Sequence, residues 1–425
     1  MKFSFLALNE VNFDLLAEYE KNNSLKGFKL LRKLREYTTS NDVPYEYLEP
    51  WIQWVSVHTG LRAEEHNVFR LGDPKAREYE QIFEVLDKRG YDICAISPMN
   101  AHNKISENQC FIPDPWTETR SDASFWSRRL ADVLRQTVND NSSGKISKKS
   151  YIFLFLAFLR FIKISWYPTM FQLIYKSLEH KWCKALVLDV LLYNIFLSLR
   201  KDATQSFNYL FLNGFAHIQH HYLLNSPYVD SLGKNPSWYI SEECDPLKDA
   251  VLVYNKILFD FLKRFSDQSV LISTGLSQIP YKDAKFYYRL RDHEDFLNSI
   301  SINFQKVRRG MTRDFYIDFA SNNDRDDALS ILKGIRLNGS NFFGDFSTLE
   351  KSLFCSLVYP EEISNSDEIV VKNLKIKLLN HVNFVAIKNG MHSDKGYLFT
   401  NDRDAFENDN ISLTNINGYI QRRSK

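Results

Sequence analysis

An apolar strand leads directly into a histidine cluster in the stretch Tyr209-Leu210-Phe211-Leu212-Asn213-Gly214-Phe215-Ala216-His217-Ile218-Gln219-His220-His221-Tyr222. Its first four residues form an unbroken apolar run, which is typical of a strand buried on both faces of a parallel sheet. Histidines four residues apart, such as His217 and His221, share one face of a helix. The stretch therefore predicts a strand-to-helix turn with polar residues at the carboxyl end of the strand.

Similar apolar runs end in polar residues elsewhere in the chain. Phe3–Leu8 is followed by Asn9 and Glu10, and the run 270–273 is followed by Thr274. The run 92–97 predicts a further buried strand, and helical spacing lies between these runs. This alternation predicts an α/β fold: a doubly wound, mostly parallel central sheet with helices on both faces and a site at the carboxyl ends of the strands.

The remaining segments divide the chain into a core and two additions. A polar stretch at 138–149 predicts a hinge, which opens a helical insert at 138–200. Dense charge marks 285–365 as a smaller cap subdomain. The α/β core then comprises 1–137, 201–284 and 366–425, and its segment 368–400 predicts returning strands that break at Asn389-Gly390.

Composition excludes several classes of protein. The 425 residues are 44% hydrophobic and 25% charged, which is typical of a globular protein with a sizeable core, and a net charge of +2 gives no reason to expect nucleic acid as a partner. Five scattered cysteines without a Cys-x-x-Cys pair indicate neither a thiolate zinc site nor a disulfide framework. The short apolar N-terminal run lacks the pattern of a signal peptide, so we expect a cytoplasmic protein.

The segment 151–199 is rich in apolar residues but is interrupted by Arg160 and by recurring lysines. Because a membrane span needs about 20 mostly apolar residues, the segment predicts packed helices and no transmembrane span. Peripheral contact with a membrane is the alternative interpretation.

Five segments together resemble a known family. The segment Pro50-Trp51 with its closing Thr59-Gly60-Leu61 is joined by four strand-end segments: Asn9-Glu10, Asn213–His221, Ser273-Thr274-Gly275 and Gly390-Met391-His392. In this order and spacing they resemble the alkaline-phosphatase superfamily, in its type I phosphodiesterase/nucleotide pyrophosphatase branch. The resemblance implies a bacterial hydrolase with a metal site at one edge of the sheet.

Several positions depart from the family's pattern. Its first metal-binding Asp corresponds to Asn9, its Thr or Ser nucleophile to Pro50, and a later Asp-His pair to Thr274-Gly275. The resemblance therefore implies the loss of one of two metals and of the nucleophile. His220 and His392 correspond directly to ligands of the other metal.

The third ligand of that metal, an Asp, corresponds to Ala216, while His217 and His221 repeat the family's spacing one residue later. Imidazole suits zinc or manganese. We expect one divalent transition-metal ion, bound by two or three of four histidines plus the carboxylate of Glu10 or Glu49. The histidines are His217, His220, His221 and His392.

Further roles follow for neighbouring residues. Glu49 and Glu10 are candidate general bases, while Asn213 and three cap arginines are candidates for binding an anionic or saccharide substrate. The arginines are Arg308, Arg309 and Arg313. Two plainer interpretations remain open: Glu10 could cap the following helix, and the arginines could form a solvated face.

Two hypotheses for function result. The first is a metal-dependent hydrolase or transferase that acts on a phosphodiester or sugar acid through metal-activated water, with bacterial surface-polysaccharide biosynthesis as a setting by analogy. The second is a catalytically inactive superfamily relative that serves as a binding or scaffold protein. Metal content distinguishes the two.

Overall fold

The computed structural model describes residues 1–41, 43–139, 147–230, 233–309 and 313–425, in two compact units. The first unit comprises Met1–Asp230, Glu243–Pro280 and Gly390–Lys425, and the second comprises Ser231–Glu242 and Tyr281–Asn389. The predicted cap, 285–365, lies within the second unit, which extends to Asn389. The described part of 138–200 belongs to the first unit, and residues 140–146 of the predicted hinge lie outside the described residues.

The described residues form eighteen strands, eight of which make up the sheet of the first unit. They are β1 (Lys2–Leu8), β2 (Arg35–Ser40), β3 (Asp92–Ile96), β4 (Cys110–Ile112), β5 (Ser206–Leu212), β6 (Ser269–Ser273), β7 (Ser277–Leu290), β8 (Lys306–Arg309), β9 (Asp314–Asp318), β10 (Arg336–Leu337), β11 (Ser340–Asn341), β12 (Phe343–Leu349), β13 (Ser352–Leu357), β14 (Glu368–Val371), β15 (Leu374–Lys377), β16 (Val382–Ser393), β17 (Gly396–Thr400) and β18 (Asn410–Ser412).

The helices alternate with these strands over much of the chain. They are α1 (Phe13–Asn22), α2 (Lys26–Leu31), α3 (Pro50–Thr59), α4 (Ala63–His66), α5 (Ile82–Lys88), α6 (Phe125–Asn139), α7 (Lys148–Phe161), α8 (Tyr167–Lys176), α9 (Cys183–Leu199), α10 (Gly214–Tyr222), α11 (Pro246–Arg264), α12 (His293–Ser299), α13 (Asn322–Gly334) and α14 (Thr414–Arg423).

Eight strands form the central sheet of the first unit, in the order β18-β2-β17-β6-β1-β5-β3-β4. Strand β1 pairs in parallel with β5 and β6, and β3 pairs in parallel with β4 and β5. Strand β17 is antiparallel to both of its neighbours, β6 and β2. Helices α3, α5 and α14 pack together, as do α9, α10 and α11. The prediction of an α/β fold with a large, mostly parallel sheet flanked by helices is confirmed.

The register of the sheet brings the strand ends to one level. Leu8 at the end of β1 lies opposite Leu212 at the end of β5, and Ala7 lies opposite Ser273 at the end of β6. These strands are mostly apolar and are buried along almost their whole length, because the sheet is covered on both faces. The polar residues that follow each strand therefore emerge side by side.

Strand β16 differs from the prediction. The expected break at Asn389-Gly390 is wrong, because β16 runs without interruption from Val382 to Ser393. A Cβ atom at Gly390 would lie 2.2 Å from Oε1 of Gln278 and 3.1 Å from the carbonyl oxygen of Gln219. The glycine therefore permits a close approach of two elements and does not mark a turn.

The second unit has its own hydrophobic core. This core is formed by buried residues between Phe286 and Ile387, among them Leu332 of α13, and the unit contains the antiparallel sheet β12-β13-β9-β8. Among the described residues, no single helix combines the length and apolar character needed to cross a bilayer; a pair of helical segments, Lys149–Phe161 and Ile164–Lys176, passes that test together but is bent by 117°.

Candidate metal centre

The centre is built around Glu10, the second residue after β1. Its backbone has a φ of 59°, in the left-handed region, and its amide donates to the carbonyl of Thr274 at 3.0 Å. The side chain of Gln219 donates to the carbonyl of Glu10 at 2.7 Å. Left-handed backbone is unfavourable for a glutamate, so these hydrogen bonds help to hold a turn that directs its carboxylate inward.

Two imidazoles meet one oxygen of this carboxylate. Nε2 of His220 lies 3.0 Å from Oε2 of Glu10, and Nε2 of His392 lies 3.2 Å from the same oxygen. His220 comes from α10 and His392 from the end of β16, and their ring centroids are 5.2 Å apart. The carboxylate is almost fully buried, with 2% of its side chain exposed. Glu10, His220 and His392 thus converge on a single point.

The second nitrogen of each imidazole faces an acceptor. Nδ1 of His220 lies 3.3 Å from the carbonyl oxygen of Gly390, and Nδ1 of His392 lies 3.5 Å from Oε2 of Glu49. When an ion takes the place of the proton on Nε2, the remaining proton lies on Nδ1 and faces these acceptors, which is the arrangement of metal-binding histidines in proteins. Glu49, at the N-terminus of α3, is therefore placed to orient His392.

The donor set fits a transition-metal ion. Imidazole nitrogens and carboxylate oxygens bind zinc at about 2 Å, which places neighbouring ligand atoms roughly 3–3.5 Å apart. The two measured separations fall in this range, and ligand atoms of all three residues lie within 4.8 Å of one another. Two imidazoles and one carboxylate are also a ligand set that leaves positions for water or substrate.

The hydrogen bonds around Glu10 fix its ionised form. Burial raises the pKa of Glu10, but attraction to His220 and His392 and their hydrogen bonds outweigh this effect, so its pKa lies well below the ordinary value. The side-chain amide of Asn9 donates to Oε1 at 2.7 Å, and that of Gln278 donates to Oε2 at 2.5 Å. An ionised carboxylate can accept all of these bonds.

The indole of Trp54 contacts two of the positions that the sequence resemblance assigns to a second metal. Nε1 of Trp54 donates to Oδ1 of Asn9 at 2.8 Å, and the ring packs against Gly275, where a Cβ atom would lie 3.2 Å from it. Oγ1 of Thr274 accepts from the amide of Tyr397 at 2.9 Å. Pro50 is the first residue of α3, four residues before Trp54. Asn9, Gly275 and Thr274 are thus engaged in hydrogen bonds or packing with other residues of the chain.

The other two histidines of the predicted cluster lie apart from this point. The rings of His217 and His221 pack on each other at 4.7 Å, and the ring centroid of His221 is 6.4 Å from that of His220. Among the described residues, the group able to hold one ion consists of Glu10, His220 and His392. The predicted spacing of four residues therefore brings His217 and His221 to each other.

The predicted substrate-binding residues are placed as follows. Oδ1 of Asn213 accepts a hydrogen bond from the side-chain amide of Asn9 at 2.8 Å, beside the centre. The arginines belong to the second unit: Arg308 forms two hydrogen bonds with Asp318, at 2.9 and 3.0 Å, and the guanidinium of Arg313 lies 4.0 Å from the ring centroid of Tyr287. Arg309 is exposed at the end of β8.

Sequence reasoning missed two residues that shape the centre. Gln278 bonds Glu10 as described, and Asp189 of α9 accepts the amide of Gly214 at 2.9 Å and the hydroxyl of Tyr254 at 2.6 Å, so that it holds the start of α10. A signal for Asp189 was present, since it is the one acidic residue in the apolar sequence of α9. Gln278 gave no comparable signal.

Comparisons with known proteins give structural likeness alone. No family model and no curated protein matches this chain. The chain is similar to phosphonoacetate hydrolase from Sinorhizobium meliloti 1021 in complex with phosphonoformate, with 9% identity and a TM-score of 0.44 over 99% of this chain and 95% of that chain. It is also similar to murine ectonucleotide pyrophosphatase / phosphodiesterase 5, with 9% identity and a TM-score of 0.40 over 100% of this chain and 95% of that chain.

A third similar structure is wild-type alkaline phosphatase PafA, with 10% identity and a TM-score of 0.44 over 98% of this chain and 94% of that chain. TM-scores of 0.40–0.44 and identities of 9–10% transfer no activity, substrate or metal to this chain.

Proposed function

We propose that this chain is a metal-dependent hydrolase or transferase of the alkaline-phosphatase superfamily that acts on a small anionic substrate. One divalent transition-metal ion, zinc or manganese, would be held by Glu10, His220 and His392. The observation that supports this most is the convergence of two Nε2 atoms on one carboxylate oxygen, while both Nδ1 atoms face acceptors. When bound, such an ion supplies an activated water and polarises an oxygen of the substrate.

The surrounding residues have separate tasks in this proposal. Glu10 is enclosed and hydrogen-bonded on both oxygens, which suits a ligand. Glu49 has 34% of its side chain exposed and borders His392, so it can orient that imidazole and exchange a proton with solvent as a general base. Water is the attacking group, because Pro50 has no side-chain oxygen with which to attack.

The finer parts of the proposal come from the sequence and from its resemblance to the family. They are a phosphodiester or sugar acid as substrate, its binding by Asn213 and the arginines Arg308, Arg309 and Arg313, a cytoplasmic location, and a role in bacterial surface-polysaccharide biosynthesis. A catalytically inactive relative that binds or scaffolds is the second candidate. It is favoured by Trp54, whose indole lies where a second metal would be needed, and by Pro50 at the nucleophile position.

Metal content tests the proposal directly. We expect about one equivalent of zinc or manganese in protein purified without chelator, because the three ligands are preassembled. The double variant His220→Ala/His392→Ala should fall below ~0.2 equivalents. The matched control His217→Ala/His221→Ala removes two imidazoles from the same helix and should keep the wild-type content.

The outcomes separate the two candidates. Wild-type protein with under ~0.2 equivalents, after zinc or manganese has been supplied at neutral pH, would refute the metal-dependent enzyme and leave the binding relative. Equal loss in the control variant would mean that the ligand set is wrong. Wild-type protein that contains zinc or manganese should then be assayed with a chromogenic phosphodiester. Hydrolysis should disappear in the His220→Ala/His392→Ala variant.

A further inference from the structure

Helices α7 and α8 expose an apolar face that is unusual for a globular protein. On α7 the exposed side chains follow helical spacing, and α8 with its following turn repeats the pattern. These side chains are between 40% and 83% exposed: Tyr151, Ile152, Phe155, Leu156, Leu159, Ile164, Phe171, Ile174, Tyr175 and Leu178. We call this set the apolar face. Contiguous exposed apolar surface of this kind marks an interaction site.

The opposite sides of the same helices are anchored in the first unit. Ala157 and Phe161 of α7 and Met170 and Leu173 of α8 are buried, and both helices pack on α9. Apolar side chains of the two helices therefore lie both on the side covered by protein and on the exposed side. Exposed apolar side chains of an anchored helix are available for contact with lipid.

The segment that carries the apolar face contains charge of one sign only. Between Ser147 and Leu178 the sequence contains five basic residues and no acidic residue. Lys149 and Arg160 are exposed near the two ends of the α7 face. A second copy of the chain docked on this face would bring like charges together, whereas the anionic headgroups of a bilayer would complement them.

A cleft beside the face has the character of an amphiphile site. It lies between α6 and α7 and has a volume of about 690 Å³. Arg129, Arg135 and Lys149 contribute cations to its lining, Asp132 contributes a carboxylate, and Ile152 and Leu156 of the apolar face complete it. Cations beside exposed apolar side chains match a lipid headgroup above its acyl chains.

We propose that the apolar face docks this protein onto the surface of an anionic bilayer. The side chains from Tyr151 to Leu178 enter the interface, and the flanking cations contact the headgroups. The strongest contribution should come from Ile164 at the bend between the helices and from Leu178 after α8, which are 83% and 79% exposed. This proposal is independent of the metal centre and of any activity.

Vesicle flotation of the full chain tests the proposal. Wild-type protein should float with phosphatidylcholine vesicles that contain phosphatidylglycerol, and binding should weaken with salt and without phosphatidylglycerol. The variant Ile164→Asp/Leu178→Asp should lose at least roughly tenfold in partition coefficient, because two apolar anchors become anions. Leu349→Asp, at a position 78% exposed in the second unit, is the matched control and should bind as wild type.

A charge variant keeps the test decisive if the aspartate variant does not fold. Lys149→Gln/Arg160→Gln changes only exposed side chains and should weaken binding to anionic vesicles severalfold while reducing its dependence on salt. Wild-type protein that does not bind anionic vesicles at low salt would overturn the proposal. So would a lipid-free dimer that the aspartate variant dissociates, since the face would then join two copies of the chain.

Discussion

The indole of Trp54 lies among three of the four positions that the family resemblance assigns to a second metal. It bonds Asn9, packs on Gly275 and follows Pro50 by one helical turn. Of the four positions, only Asn9 and Thr274 offer side-chain oxygens, and both oxygens accept hydrogen bonds from other groups. A second dication would need negative charge that these residues do not supply. A single ion is therefore the stoichiometry that the side chains support.

Pro50 leads to a prediction about covalent chemistry. No phosphorylated intermediate should form on α3, because Pro50 has no hydroxyl, Ser56 is buried in the helix packing, and Thr59 donates to the carbonyl of Val55 at 2.8 Å. Intact-mass analysis after incubation with a phosphoester should show unmodified protein. A phosphoryl adduct mapped to Ser56 or Thr59 would contradict direct attack by water.

The residues of the centre show what a sequence can and cannot indicate. The strand ends could be predicted, because apolar runs identify strands and parallel strands end at one edge of a sheet. The family resemblance, and not this pattern, singles out His220 and His392, and His392 lies within β16, outside the central sheet. The pairing of His217 with His221, and the contacts of Gln278 and Trp54, could not be predicted. They depend on the exact rotation of α10 and on packing between segments distant in sequence.

At the scale of elements, α9 and α10 are joined by a buried carboxyl group. Asp189 accepts the first amide of α10 and the hydroxyl of Tyr254, and a Cβ atom at Gly214 would lie 2.4 Å from its Oδ2. Only glycine fits this contact. Because α10 bears His220, the position of one proposed ligand depends on the hydrogen bonds of Asp189.

This contact predicts a pH dependence of stability. Burial raises the pKa of Asp189 from 3.8 to about 7, and hydrogen bonds from Tyr254 and backbone amides lower it only in part. Between these values the folded state binds a proton that the unfolded state lacks. The contribution of Asp189 is therefore fully present below about pH 4 and is lost as pH rises towards 7, by roughly 1.4 kcal/mol per pH unit.

Urea unfolding at several pH values measures this contribution. The free energy of unfolding of wild type minus that of Asp189→Asn should fall as pH rises from about 5 to about 7 and should then remain level, because asparagine does not titrate. Other titrating groups cancel in the difference. If the free energies of unfolding of the two proteins changed in parallel with pH, the carboxyl group of Asp189 would have no raised pKa.

At the scale of the molecule, two hydrophobic cores serve two units. The core of the second unit lies between Phe286 and Ile387, while that of the first includes β1, β5 and α3. Glu10, His220 and His392 all belong to the first unit. The division into units could be anticipated from the dense charge of 285–365. Its boundary could not, because the chain returns within the continuous strand β16.

Separate cores predict separate stabilities. Leu332→Ala, in the second core, should lower the stability of the second unit by about 2–5 kcal/mol and leave metal content unchanged, since Leu332 packs in the core of the second unit and the three ligands belong to the first. Leu258→Ala, equally buried in α11 of the first unit, is the matched control and should lower the stability of that unit.

Fluorescence can follow the two units separately. Trp238 lies in the second unit and the other six tryptophans lie in the first, so the difference between each protein and its Trp238→Phe counterpart reports the second unit alone. We expect Leu332→Ala to shift this difference signal to lower urea and Leu258→Ala to shift the remaining signal. A single shared transition in both variants would mean that the units unfold as one.

The position of β17 determines when the central sheet can be completed during synthesis. In the described sheet β2 has β17 and β18 as neighbours, and residues 41–395 separate β2 from the first of these. While the ribosome makes those residues, β2 has no partner and β6 presents an open edge to other nascent chains. Open strand edges invite aggregation, so the edges of β2 and β6 are exposed to it until Gly396–Thr400 has been made. A product that stops before Gly396 lacks β17, and both edges then stay open.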